Sequence, residues 1–204
     1  QKLAVSDIIA DFGKNHPMNR LLEGDVGSGK TVVGAIAMYV SHINGYQSAL
    51  MAPTEILANQ HFKVISNLLA PYDIKVKLMT GSSAKNTKNN SADDFNVLIG
   101  THSLLNEKAK YDKLGLIIID EQQRFGVEQR ETLRKKGYNP HLLAMTATPI
   151  PRTIALTMYG ELDMSILTDM PMGIRKIKTW VVPEEKRSKA YEWIGKNGRK
   201  VFIV

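Results

Sequence analysis

The run GDVGSGKT, residues 24–31, decides the fold, because it matches the pattern G-x-x-x-x-G-K-[ST] of a phosphate-binding loop. Glycines at these positions let backbone N–H groups curl around phosphates, and a following helix adds its positive N-terminal end. A predicted strand at 20–23 precedes the loop, and helical periodicity covers 31–43. The nucleotide-binding residues predicted from this run are Gly24, Asp25, Val26, Gly27, Ser28, Gly29, Lys30 and Thr31.

Two residues of this loop have a predicted chemical role. Lys30 is expected to reach the β and γ phosphates, and the Thr31 hydroxyl is expected to ligate Mg²⁺. The short pattern alone occurs by chance in unrelated proteins, where it forms only a glycine turn. The strand before it and the helix behind it favour an ATP site here.

Apolar runs alternate with helix-like stretches on both sides of the loop, which predicts an α/β fold with a three-layer, doubly wound parallel sheet. Residues 114–119 are continuously apolar, as expected for a central parallel strand covered on both faces. Other strands are predicted at 48–52, 75–79, 97–100, 141–145, 178–182 and 200–204. Helices are predicted at 55–69, 127–136, 151–159 and 184–195.

An acidic pair, Asp120 and Glu121, follows the apolar strand at 114–119. In phosphate-loop ATPases the aspartate at such a strand end holds the magnesium shell, and the adjacent glutamate orients and deprotonates the attacking water. Two solvated carboxylates at a strand end are the alternative. Together with the loop, the pair predicts that Asp120, Glu121 and Lys30 are catalytic and that Asp120 and Thr31 hold the metal.

Composition narrows the class of protein less than the motifs do. The chain has no cysteine, which excludes disulfides and thiolate metal sites and fits a cytoplasmic protein. It has neither an apolar run long enough to cross a membrane nor a secretory signal pattern. The net charge of +7 is concentrated after residue 170, so it is only weak support for DNA binding.

Four further runs carry a family resemblance: MAPTEILANQH (51–61), IGTH (99–102), DEQQRFGVEQR (120–130) and MTATPIPRT (145–153). With the phosphate loop, they lie in the order of superfamily 2 helicase motifs and resemble the RecG branch-migration helicases. The runs RFGVEQR and TATPIPRT are shared with the transcription-repair coupling translocase, which is the nearest competitor. The resemblance implies a RecA-like motor lobe that uses ATP and Mg²⁺ and acts on duplex, forked or branched DNA.

The resemblance also implies roles for single residues. Gln1 stands where the family has the glutamine that reads the adenine edge, and Gln123, Thr146 and Thr148 correspond to elements that couple hydrolysis to strand movement. Helix capping is the alternative for the two threonines. Residues with implied DNA contacts are Pro53, Thr54, Glu55, Gly81, Gly100, Thr101 and Arg152.

Most of the implied DNA contacts follow predicted strands, where hydroxyls and helix N-termini bind phosphates. Capping or turn formation explains Thr54 and Gly81 equally well. Two alternatives remain for the partner of Arg152: a DNA phosphate or an acidic neighbour.

The sequence departs from the family pattern in three ways. Position 123 is Gln where RecG proteins usually have His, and the polar segment 82–94 is shorter than its usual counterpart. No segment like Gln-x-x-Gly-Arg-x-Gly-Arg supplies second-lobe arginines. The expected organisation is an ATP-binding lobe at 1–168, a linker at 169–177 and the start of a truncated second motor lobe at 178–204. The run DMSILTDMP (163–171) resembles the linker between RecG lobes, and a wedge domain is expected elsewhere in the full-length protein.

The leading hypothesis is therefore an ATP-dependent DNA helicase or translocase that remodels branched DNA or forks in recombination and repair. As an isolated chain it is expected to hydrolyse ATP slowly. The alternatives are the coupling translocase and a nucleotide-binding module without efficient hydrolysis. An RNA helicase fits less well, because its motifs differ after the acidic pair and at PIPRT.

Overall fold

A parallel β-sheet organises the chain in a computed structural model, which describes residues 1–81, 95–106, 109–121, 127–148, 162–168 and 181–197. In chain order the strands of the described residues are β1 Asn19–Gly24, β2 Gln47–Met51, β3 Val76–Met79, β4 Val97–Gly100, β5 Leu114–Asp120, β6 His141–Thr146 and β7 Asp163–Leu167. They are ordered β3-β4-β2-β5-β6-β1-β7, and every pairing is parallel. The predicted doubly wound α/β fold is confirmed.

The described helices precede, separate or follow these strands along the chain. Their bounds are α1 Lys2–Phe12, α2 Lys30–Ile43, α3 Glu55–Leu69, α4 Val127–Arg134 and α5 Arg187–Asn197, with short 3₁₀ turns at Ala70–Tyr72, His102–Leu105 and Glu184–Lys186. The predicted helix at 55–69 has the observed bounds. The predicted helix at 151–159 and the strand at 200–204 lie outside the described residues, as does most of the strand predicted at 178–182.

Strand β5 shows why an uninterrupted apolar run belongs at the centre of this sheet. Its residues alternate between two cores: Leu116 and Ile118 pack in a cluster with apolar residues of α1, α2 and α3, whereas Ile117 and Ile119 pack in a cluster on the other face. All four are fully buried. Since side chains of a strand point alternately to opposite faces, a strand covered on both sides needs apolar residues at every position.

A polar cluster centred on a buried arginine holds helix α1 and the edge strand β7 to strand β1. The guanidinium of Arg20 on β1 pairs with Asp11 of α1 (Nε to Oδ2, 2.6 Å) and donates to Ser165 Oγ of β7 at 2.9 Å. The Ser165 hydroxyl in turn donates to Asp7 of α1 at 2.7 Å. The segment 163–171 resembles a linker between lobes in sequence. Its first five residues, DMSIL, instead form β7, the edge strand that pairs with β1.

The chain divides into two compact units, Gln1–Pro171 and Met172–Val204. Within the second unit the described residues form the 3₁₀ turn Glu184–Lys186 followed by α5. In the part of the chain that the structure describes, no helix has both the length and the apolar character required to cross a bilayer.

Candidate nucleotide site and neighbouring loops

The glycine loop joins the end of β1 to the start of α2, as the sequence pattern predicts. Gly27 and Gly29 have φ values of 84° and 96°, in the left-handed region that side chains other than glycine rarely adopt. Gly29 is the N-cap of α2. The loop therefore turns sharply into the helix and leaves the first N–H groups of α2 directed towards the loop.

Inside the loop, the Lys30 ammonium donates to the carbonyl oxygens of Gly24 (2.5 Å) and Asp25 (3.0 Å). The Ser28 hydroxyl is buried, with 3% of the residue exposed, and it has no hydrogen-bond partner among the described residues. A buried hydroxyl without a partner costs about 1–3 kcal/mol. The loop thus contains an ammonium that could exchange its carbonyl contacts for phosphate oxygens and a hydroxyl that could gain a phosphate oxygen as its partner.

Gln1 lies directly beside this loop. Its side-chain amide donates from Nε2 to the Ser28 carbonyl at 2.7 Å. A Cβ atom added to Gly29 would overlap the same amide. The structure therefore brings the predicted adenine-reading residue to the phosphate loop, although the two are far apart in sequence.

Substituting Gly29 with alanine is expected to lower nucleotide affinity at least about tenfold. The new methyl group would meet the Gln1 amide, and the φ of 96° is unfavourable for alanine by about 1–2 kcal/mol. Equilibrium titration with a fluorescent ADP analogue measures the effect. Gly45→Ala is the matched control, since Gly45 also has a positive φ (81°) but a Cβ there meets nothing within 4 Å. Equal affinities for the two variants would contradict the assigned role of Gly29.

The acidic pair lies where β5 ends. Asp120 is the last residue of β5, is 8% exposed, and pairs with Met145 of β6 in register. His61 of α3 contacts it, with 2.7 Å between His61 Nε2 and Asp120 Oδ2. Glu121 follows with φ 52°, a left-handed conformation that costs a residue other than glycine about 1–2 kcal/mol. Such strained positions cluster at functional sites.

The predicted coupling threonines follow the neighbouring strand, β6. Thr146 is fully buried, and its hydroxyl contacts the Thr148 hydroxyl at 2.9 Å and accepts from the Thr148 N–H at 3.1 Å. Thr146 also pairs in register with Glu23 at the end of β1. The two threonines therefore lie between the phosphate loop and Asp120 along the sheet. Gln123 and Arg152 fall outside the described residues.

The predicted DNA-contacting residues follow the three strands on the other side of β5. Thr54 caps α3 by accepting from the Leu57 N–H at 3.3 Å, so the capping explanation for this residue holds whatever else it binds. Gly81, which follows β3, lies next to Glu55: a Cβ on Gly81 would be 3.3 Å from Glu55 Oε1. Pro53 precedes the cap.

Gly100 and Thr101 stand at the end of β4, which lies between β3 and β2. Gly100 pairs in register with Met79 of β3 and Met51 of β2. A Cβ on Gly100 would overlap the Met79 carbonyl, so only glycine fits at this position. The candidate DNA contacts thus share one half of the sheet's carboxyl edge.

Sequence reasoning missed His61. On α3 it belongs to the buried stripe Ala58, His61, Ile65 and Leu69. The signal was a polar ring at helical spacing among apolar residues of the helix that follows β2. Its partner, Asp120, is close only in the folded chain.

The sequence profile of the DEAD/DEAH box helicases matches residues 1–157. With a phosphate loop, an acidic pair and a parallel sheet in place, the chain belongs to the DEAD/DEAH box helicase family. The predicted family relationship is confirmed at this level.

Among individual proteins, the chain is similar to the ATP-dependent DNA helicase RecG. It is 44% identical to RecG of Bacillus subtilis (strain 168) over 213 residues, which is 100% of this chain and 31% of that protein. It is 45% identical to RecG of Synechocystis sp. over 212 residues, 100% of this chain and 26% of that protein. The chain therefore spans less than a third of the length of these relatives.

Two solved helicase structures also match the chain. A structure of RecG bound to a three-way DNA junction matches with a TM-score of 0.77 and 39% identity over 95% of this chain and 26% of that chain. The UvsW helicase from bacteriophage T4 matches with a TM-score of 0.61 over 79% of this chain and 59% of that chain, at 16% identity, which bears on the fold alone.

Proposed function

We propose that this chain is the nucleotide-binding lobe of an ATP-dependent DNA helicase or translocase that remodels branched DNA or forks. The observation that carries the proposal is the division of one sheet edge into two adjoining sets of loops. Apart from Gln1 and Arg152, the nucleotide candidates lie at the ends of β1, β5 and β6 or just after them, and the DNA candidates lie at the ends of β2, β3 and β4 or just after them. Ligands of open α/β sheets bind at this carboxyl edge, and β2 adjoins β5, so the two sets share a boundary.

The residues at the nucleotide half fit Mg·ATP. Lys30 would exchange the Gly24 and Asp25 carbonyls for phosphate oxygens, and the Ser28 hydroxyl would gain the partner it lacks among the described residues. Gln1 would read the adenine edge from its position beside the loop.

Thr31 and Asp120 would hold the magnesium ion. In the described ranges no group of three or more His, Asp or Glu side chains could hold a metal by itself. Proteins bind magnesium through one or two carboxylates together with substrate phosphates, so the nucleotide would complete this site. A magnesium ion held there would supply positive charge to neutralise the phosphate oxygens.

Glu121 is the proposed general base. It adjoins Asp120 at the end of β5, and its carboxylate would orient the attacking water and accept its proton. Thr146, the last residue of the strand between β5 and β1, and Thr148 just after it would transmit the nucleotide state to the rest of the lobe, together with Gln123.

The DNA half offers small and hydroxyl-bearing groups at strand ends, which suits contacts to phosphates and sugars rather than to bases. Thr54 and Thr101 would supply hydroxyls, and Gly81 and Gly100 allow Glu55 and the Met79 carbonyl to pack closely beside them. An ionised Glu55 carboxylate would repel phosphate, so any part it has in DNA binding would be indirect. Arg152 would add a positive charge.

We also propose that 1–168 is the ATP-binding lobe, 169–177 a linker and 178–204 part of a second motor lobe. The compact unit Gln1–Pro171 supports the first boundary. An arginine supplied to the ATP site by another domain is worth about 10³–10⁵ in rate in related enzymes. The 204-residue chain alone would therefore hydrolyse ATP slowly.

The function is tested by measuring phosphate release from Mg·ATP by the complete protein with three activators. We expect forked DNA to stimulate turnover most, linear duplex less, and single-stranded RNA least. Stimulation by RNA alone would overturn the proposal. Tight nucleotide binding with no response to any DNA would instead indicate a nucleotide-binding module.

A further inference from the structure

One contact at the site has no role in the mechanism described so far: the pair of His61 and Asp120. The two side chains meet at 2.7 Å between Nε2 and Oδ2, and each residue is 8% exposed. They come from different elements, the middle of α3 and the last residue of β5. The contact therefore ties a helix to the carboxylate that is proposed to hold magnesium.

The chemistry of the pair fixes the direction of the hydrogen bond. With Asp120 ionised, as a magnesium ligand is, its carboxylate only accepts, and the proton of the bond then lies on His61 Nε2. A neutral imidazole is sufficient for this, since one ring nitrogen of a neutral histidine carries a proton. The imidazole engages Oδ2 only, and this bond restricts rotation of the Asp120 carboxylate about its side-chain bonds.

Packing alone does not explain a histidine at this position. The other members of the buried stripe of α3 are Ala58, Ile65 and Leu69, all apolar. Burying a polar ring and a carboxylate is unfavourable unless they bond to each other, and an apolar pair of similar volume is often at least as stable. A residue type that adds nothing to packing but orients a carboxylate points to a role at the site.

We infer that His61 is a positioning residue: it holds the Asp120 carboxylate in the orientation that receives Mg²⁺ with the nucleotide. The inference rests on the proposed function, because it needs Asp120 to take part in a metal site. Groups that orient metal ligands in this way typically contribute about 10–100-fold to metal affinity. His61 does not touch nucleotide or the reacting atoms, so its effect passes through Asp120.

Three substitutions in the complete protein separate positioning from packing. His61→Gln places an amide nitrogen the same number of bonds from Cα as Nε2 and keeps the donor. His61→Asn is one bond shorter and cannot reach, and His61→Leu removes the donor altogether. Asn67→Leu, at an exposed position of the same helix, is the control.

The measurement is the binding of a fluorescent ATP analogue, first in EDTA and then across a titration of Mg²⁺. We expect His61→Asn and His61→Leu to raise the Mg²⁺ midpoint about tenfold or more. His61→Gln and Asn67→Leu should stay near the wild-type midpoint. Binding in EDTA should be unchanged in all four, because the phosphate loop does not depend on His61.

The possible failures are distinguishable. Equal midpoints for the wild type, Asn and Leu proteins, or a Gln protein as impaired as the Asn protein, would overturn this inference alone. A parallel loss of binding in EDTA would show that His61 is only structural and would also overturn it. A wild type whose nucleotide binding does not respond to Mg²⁺ would overturn the proposed function, and this inference with it.

Discussion

Replacing Glu121 with glutamine is expected to stop ATP turnover while nucleotide affinity stays near the wild-type value. Glutamine keeps the size and hydrogen-bonding capacity of the side chain but cannot accept a proton from water. General base catalysis contributes about 10²–10⁴-fold, so steady-state phosphate release by the DNA-saturated protein should fall at least about 10²-fold. The phosphate loop, which binds the nucleotide, is unchanged.

The backbone at Glu121 makes glutamine the informative substitution. With φ at 52°, this position is strained for any residue other than glycine. Alanine or glycine would alter local conformation as well as chemistry, whereas glutamine changes only the chemistry. Glu128→Gln, at an exposed position in the first turn of α4, is the control and should turn over normally. Unchanged turnover in Glu121→Gln would disqualify Glu121 as the base.

The elements that the sequence predicted well are those whose signals are local. The phosphate loop combines glycines that require left-handed backbone with a helix start, and these features occupy eight consecutive residues. Strand β5 is apolar along 114–119 because both of its faces are covered there. In both cases the physical requirement can be read from adjacent residues.

Helix α1 was not predicted, because its apolar residues are not confined to one face. Its buried stripe is Ala4, Ile8 and Asp11, so a carboxylate stands where an apolar residue is expected. Leu3 and Ile9 are 83% and 50% exposed, so apolar residues also lie on the outer face. The hydrophobic periodicity that reveals a helix is correspondingly weak.

Strand β7 and the His61 contact could not be predicted for a different reason: both depend on partners distant in sequence. Ser165 of β7 is buried, and the partners of its hydroxyl, Arg20 and Asp7, are more than 140 residues away in the sequence. His61 and Asp120 are 59 residues apart.

The second large effect is expected from Asp11→Asn, which should lower the free energy of unfolding by about 3 kcal/mol. Removing one partner of a buried ion pair leaves the other charge uncompensated, at a cost of about 3–5 kcal/mol. The lower figure applies because the Arg20 guanidinium retains Ser165 at 2.9 Å and Asp163 at 3.6 Å. Urea unfolding at pH 7 measures the change.

The control is Asp163→Asn, which removes a carboxylate from the same cluster. The Asp163 side chain is 55% exposed and lies 3.6 Å from Arg20, whereas the Asp11 side chain is 2% exposed and lies 2.6 Å from Arg20. Exposed ion pairs contribute about 0–1 kcal/mol. Equal losses for the two substitutions would show that burial does not set the strength of this cluster.

The pH dependence of the Asp11→Asn effect follows from the carboxylate's pKa. Burial raises the pKa of Asp11, but hydrogen bonds and charges from Arg20 and Lys14 outweigh it and hold that pKa below its ordinary value. A group whose pKa is lower in the folded state stabilises the fold above its unfolded pKa, about 3.9 for aspartate. The difference between wild type and Asp11→Asn should therefore be full at pH 7 and should shrink below about pH 4. A difference that stays constant through this range would mean that Asp11 stabilises the fold by hydrogen-bond geometry alone, without its charge.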